Sequence, residues 1–253
     1  MTIREAIKDQ RKAMKNRTVA EKFSYFREYY GIRTVCLITA LILLVSFCVG
    51  QLTKKDTGFH AVFFGGNPLQ SSDAFLADFA DAAQIDTGHF EVTVQTSLDI
   101  RMDDAVTEET YMAMQSFAAM VAAGMVDNIA ADIDLFLYYS YLGYTVDLRT
   151  VLTEQQLADF APHLCYIDAE LLRQQENSET GLTFEYGQCP DPKKPELMTD
   201  PIPVAIDLLS TTPAFQSSYA FGSDTVCIGI CASSERPDTA RRFLQFMLAL
   251  PIT

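Results

Sequence analysis

Tryptophan is absent from the 253 residues, so no indole can serve as a stacking platform for a sugar or a base. Histidine occurs three times, at His60, His89 and His163, each isolated in the sequence. That spacing excludes an H-E-x-x-H zinc helix, and each reads as a structural histidine. The six cysteines contain no C-x-x-C pair and no Cys/His zinc spacing. Cys227 and Cys231 are four apart in an expected strand, about 13 Å, too far to bridge each other. A Cys165–Cys189 disulfide is available in an oxidising compartment, with buried free thiols as the alternative. There is no G-x-S-x-G elbow and no phosphate-binding G-x-x-x-x-G-K loop. Asp127, Asp132 and Asp134 lack the EF-hand order of alternating acids, glycine and a distant glutamate. Asp103-Asp104 and Glu108-Glu109 fit solvation and a helix first turn. These absences lead us to expect no enzyme, no metal and no cofactor.

Basic residues are scarce beyond the N-terminus. Residues 56–253 hold 29 acids against eight bases, a net charge of −21, which repels phosphate and argues against nucleic acid as a partner. Residues 1–33 are the opposite, with nine Lys/Arg against four acids. Between the two lies what the chain does have, an uncharged apolar run over residues 34–52 (TVCLITALILLVSFCVGQL). Nineteen helical residues cover about 28 Å, close to the roughly 30 Å of a bilayer core. Lys and Arg concentrate before the run, so the positive-inside rule places the leader in the cytoplasm and the acidic part outside. Tyr25, Tyr29 and Tyr30 precede the run, where amphipathic rings favour the headgroup layer. A cleaved signal is the alternative, but the leader is long for an n-region and the apolar stretch exceeds the usual 7–15 residues. The leader reads as a topology determinant; its mix of Ile3, Ile7, Met14 and Val19 with bases also fits an amphipathic helix on an anionic leaflet.

The outer part alternates strand and helix signals. Residues 59–64 (FHAVFF) read as a buried strand ended by the Gly65-Gly66-Asn67-Pro68 turn. A helix capped near Ser71 runs to about Ala83, a strand covers 90–98, and a helix follows Thr107 to about Ala123. Residues 127–133 read as a third strand and 134–142 as a short helix stopped by Gly143. Further on come a Thr153-capped helix, a polar excursion over 174–200, strands at 203–209 and 225–231, and a closing helix from Pro237. The order implies an α/β fold, a mostly parallel sheet flanked by helices. The expected layout is a cytoplasmic leader (1–33), a signal anchor (34–52), a linker (53–58) and an extracytoplasmic domain (59–253).

Two stretches carry a resemblance. In the first, a strand ends at Ala131-Asp132, and a short helix, Gly143, Val146-Asp147-Leu148, Leu152 and a capped helix follow. In the second, the strand at Ile228 leads through Ser233-Ser234 to a helix bearing Ala240, Phe243, Leu244 and Phe246. Together they resemble the extracellular solute-binding proteins of bacterial ABC importers, with the type II periplasmic-binding fold. The resemblance implies a small-molecule ligand, a membrane permease or envelope complex as partner, and two lobes, of which the second must be small here. Ligands of open α/β sheets sit at the carboxyl ends of strands, which nominates Gly65, Gly66 and Asn67 after the first strand and Asp132 after the third. Asp207 joins them as a carboxylate inside an apolar strand, costly unless paired. Ordinary turn, capping and strand-end roles compete with that assignment at each position. Tyr138, Tyr139, Tyr141 and Tyr144 stand at helical spacing and read as packing. A membrane-tethered solute-binding module that captures a small ligand for a permease or sensor is the leading expectation; a ligand-free envelope scaffold or accessory subunit of a membrane complex on the same fold is the alternative.

Overall fold

The computed structural model of the chain describes residues 34–47, 55–98, 100, 107–176, 189–208 and 211–252. Two compact units divide it, Met1–Lys54 and Lys55–Thr253. In the first unit, residues 34–47 form a helix. Its apolar side chains are exposed all the way round, from Val35 to Phe47. Among the described residues no helix is long and apolar enough to cross a membrane. The leader, the last residues of the apolar run and the first part of the linker lie outside the described residues.

The second unit is built on a six-stranded sheet in the order β3-β1-β4-β8-β6-β5. Its strands are β1 (Asp56–Phe63), β3 (Phe90–Gln95), β4 (Asn128–Asp132), β5 (Leu164–Asp168), β6 (Pro201–Asp207) and β8 (Val226–Ile230). A small antiparallel ribbon pairs β2 (Gly66–Pro68) with β7 (Tyr219–Phe221). The helices are α1 (Ser72–Ala82), α2 (Glu108–Ala122), α3 (Ile133–Tyr141), α4 (Glu154–Phe160), α5 (Ala169–Glu176), α6 (Pro213–Gln216) and α7 (Pro237–Met247).

The sheet is mixed. β1 pairs in parallel with β3 and β4, as expected for strands joined through the crossover helices α1 and α2. β8 runs antiparallel to both β4 and β6, and β5 antiparallel to β6. The reason lies in the connections: β8 is reached from the ribbon through a short loop, not a crossover helix, so nothing forces it to run with its neighbours. The chain also differs at its entry, because β1 begins at Asp56, inside the expected linker.

Both faces of the sheet are covered, so the central strands are apolar on both sides. Phe59, Ala61 and Phe63 point to one face, where they meet Phe75 and Phe79 of α1, Phe160 of α4, Phe215 of α6 and Phe243 of α7. Val62 and Phe64 point to the other, against Phe117 of α2 and Leu135, Phe136 and Tyr139 of α3. Phe243 is central to the first cluster, 4.6 Å from the Phe59 ring and 4.8 Å from that of Phe79. Gly229 permits close packing on the second face, since a Cβ there would lie 2.6 Å from the Val204 carbonyl oxygen and 2.9 Å from the Phe136 ring.

The local signals hold where they are strongest. The Thr107 hydroxyl accepts the Thr110 N–H at the start of α2. Thr153 and Gln156 form a reciprocal capping box at α4. The described residues of the polar excursion pack beside β5, where Tyr166 N–H donates to the Pro192 carbonyl at 2.8 Å.

Candidate functional site at the carboxyl edge of the sheet

β1 and β4 are adjacent, but the chain leaves β1 for β3 on one side and returns to β4 on the other. This is a topological switch point, where open sheets leave a crevice beyond the strand ends. A cavity of about 320 Å³ opens there. Phe64 and Gly65 follow β1, Asp132 ends β4, Asp134 lies in the first turn of α3, and Phe221, Ser223 and Thr225 close the opposite wall. Gly65 adopts φ +65°, and among the described residues beyond its chain neighbours no atom lies within 4 Å of the Cβ it lacks. The backbone is therefore bare toward the opening, in a conformation that suits glycine.

Asp132 is held rather than free to swing. Its Oδ1 accepts the Leu135 N–H at 3.1 Å, so it is the N-cap of α3. Ile133 N–H donates to the Thr225 carbonyl at 3.0 Å. Two backbone donors at the helix start are thus spent within the protein. The charged groups among the described lining residues are the carboxylates of Asp132 and Asp134.

The five nominated residues separate in space. Gly65 and Asp132 line the cavity. Gly66 packs behind it, where a Cβ would meet Phe63 at 3.0 Å and the Phe221 ring at 3.2 Å, so its role is close approach of the ribbon to the core. Asn67 is exposed in β2 opposite Ala220. Asp207 ends β6 and is buried, with Lys193 Nζ 2.5 Å from its Oδ2. That contact raises the Lys193 pKa. Lys193 and the 221–225 wall carry no comparable signal in the sequence. Tyr219-Ala220-Phe221 followed by Gly222 is a short apolar run with a turn signal, but three residues are too few to distinguish from loop.

Several other buried polar groups among the described residues have partners within the fold. Asp127 is fully buried and accepts from His60 N–H (2.8 Å), Ser234 Oγ (2.6 Å) and Arg236 Nε (3.0 Å). This ties β1 and β4 to the start of α7. Burial lowers the His60 pKa; Asp127 opposes that shift and Arg236 adds to it. Its Nδ1 lies 2.9 Å from Thr93 Oγ1. Asp168 accepts three backbone N–H groups, from Glu170, Thr199 and Asp200. Burial alone would raise its pKa, but those donors hold it below the usual carboxylate value. Tyr139 stacks on Phe64 and Tyr144 with ring centroids 5.5 and 5.4 Å away. Tyr141 is pushed up to about 12 by burial, and its hydroxyl oxygen accepts the Asp168 N–H. Cys165 and Cys189 are both free thiols, and Cys165 faces Cys227 instead. Among the described residues no group of three or more His, Cys, Asp or Glu is placed to hold a metal ion.

The chain matches no protein-family model, no curated protein and no solved structure.

Proposed function

We propose that this protein is a membrane-tethered module whose α/β unit binds a small solute outside the cell and hands it to a permease or sensor. The observation that carries this reading is the cavity beyond β1 and β4. It lies where an open α/β sheet accommodates ligands, and its volume falls at the low end of the roughly 300–1,000 Å³ usual for ligand sites. Two carboxylates and the spent helix donors favour a solute bearing a positive charge, with Phe64 and Phe221 beside its apolar part. The tether rests on residues 34–47. A helix apolar on every side belongs in an apolar surrounding, and lipid supplies one.

The scaffold reading draws on a different observation. Both faces of the sheet are packed, Asp132 caps a helix and Asp207 is paired, so neither carboxylate needs a ligand. Calorimetric titration of the full chain in micelles with amino acids, polyamines, sugars and divalent cations separates the two. Saturable one-to-one heat with a cationic solute, weakened at least about tenfold by Asp134→Asn, supports the binding module. No heat with any member of the panel supports the scaffold.

A further inference from the structure

β3 is an outer strand of the six-stranded sheet and bonds β1 alone. The directions of its backbone groups follow from those of β1. His60 N–H donates to the Asp127 carboxylate, the His60 carbonyl accepts the Asp127 N–H, and Phe64 N–H donates to the Ala130 carbonyl. The even-numbered residues here thus turn toward β4, and the odd-numbered ones bond β3. From the Phe59–Val92 pair to the Val62–Gln95 pair that ladder is regular, so Glu91, Thr93 and Gln95 return its bonds. Val92 and Val94 turn their N–H and C=O groups away from the sheet, and no described residue bonds them on that side.

Natural sheets guard such an edge with proline, lysine, a bulge or a covering segment. The opposite outer strand, β5, has a cover, since the Pro192 carbonyl accepts the Tyr166 N–H at 2.8 Å. β3 reads FEVTVQ, with no proline, glycine or lysine and a single charge, Glu91. Between it and α1 lies a groove of about 260 Å³. Leu76, Ala77, Ala80, Phe90 and Val92 supply its apolar lining, with Lys55 and Asp73 also on its wall. Phe90 is 40% exposed.

We infer that β3 is the contact between two copies of this chain, which pair edge to edge and antiparallel about a two-fold axis through Thr93. The strand is complementary to itself in that register. Val92 of each copy stands opposite Val94 of the other, and both residues point their backbone groups outward, as a hydrogen-bonded pair requires. Their side chains already pack against the first core, so the apolar rows of the two copies continue one another on that face. On the other face Thr93 meets Thr93, and Glu91 meets the neutral Gln95. No like charges come opposite, although each unit is strongly acidic. A two-fold contact of this kind closes on itself, and with β5 covered no further copy adds to the sheet. The pairing is independent of solute binding, because the lining of the solute cavity includes no residue of β3.

The test is sedimentation equilibrium of the full chain in density-matched micelles over a range of protein and salt concentrations. Two chains per particle are expected, with association strengthening as salt rises, since salt screens the repulsion between acidic units. Val94→Pro removes an outward donor that the β1 ladder does not use, and Gln95→Glu sets two pairs of carboxylates opposite each other. Each should weaken association at least about tenfold. Adding Glu91→Lys to Gln95→Glu should restore it. Under mild oxidation Thr93→Cys should give a disulfide-linked dimer above the level of the unmodified chain, and Glu91→Cys should not. Facing residues outside the hydrogen-bonded pairs have Cα atoms about 4.5 Å apart, within reach of a disulfide. Urea denaturation establishes that each variant folds, and Gln95→Glu, which changes charge and hardly size, decides the matter if the proline variant does not. A single chain per particle at every concentration overturns the assignment and leaves the edge to an extended peptide. So does a dimer indifferent to both folded variants, which forms through the apolar helix or another surface, or a disulfide at position 91 in place of 93.

Discussion

Asp127 gathers partners from distant parts of the chain. It is fully buried and ionic, and its partners come from β1, the segment before α7 and Arg236 itself. Removing one partner of such a pair strands the other charge, at a cost of about 3–5 kcal/mol. Asp127→Ala should therefore lower stability by that amount in urea denaturation of the full chain, and a loss under about 1 kcal/mol would contradict the role. His60 gives a pH dependence. Its folded pKa lies below 6.5, and Asp127, Arg236, Glu91, Gln95 and Thr93 face it. A depressed pKa means that the unfolded chain binds the proton first as pH falls. The neutral imidazole's contribution is thus complete above pH 6.5 and is lost as pH drops through the folded value. Denaturation midpoints across pH 8 to 5 should fall, and His60→Gln should flatten that slope. Asp168 adds a second loss below the ordinary carboxylate range, because its backbone donors hold its pKa down as well. Little of this was legible in the sequence. Asp132 could be read as a strand-end acid because capping is local, but Asp127 and Asp207 find their partners 109 and 14 residues away.

The elements divide along the same line. Strands β1, β4, β6 and β8 and helices α1, α2, α4 and α7 all carry their own periodicity or cap, and they stand within a few residues of where the sequence places them. The ribbon strands β2 and β7 have three residues each, too short to show a period. Strand direction escaped the sequence as well. It depends on which connections carry a crossover helix, and the link from β7 to β8 has none. Gly229 could not be singled out before the packing was known. In β8 it lies under Phe136 and against the Val204 carbonyl, so Gly229→Ala must displace backbone or α3. The expected loss is about 1–3 kcal/mol, read from the denaturation midpoint. An unchanged midpoint would mean that the second face is looser than described. The cavity wall is a product of these short elements, which is why the sequence nominated its β1 and β4 sides and not the 221–225 side.

For the molecule as a whole, charge and hydropathy are more informative than any motif. A basic leader, an apolar run and an acidic α/β unit follow one another, and the unit from Lys55 onward is compact by itself. On the proposed reading, the α/β unit with its cavity faces outward from the membrane that holds the apolar run. The most direct test is topology in sealed, right-side-out membrane vesicles. The chain should remain in the pellet after alkaline carbonate washing. Externally added protease should digest residues beyond 55 while an epitope at the N-terminus stays protected. Release of the intact chain by carbonate, or protection of the acidic unit with digestion of the N-terminus, would contradict a tethered solute-binding module facing outward.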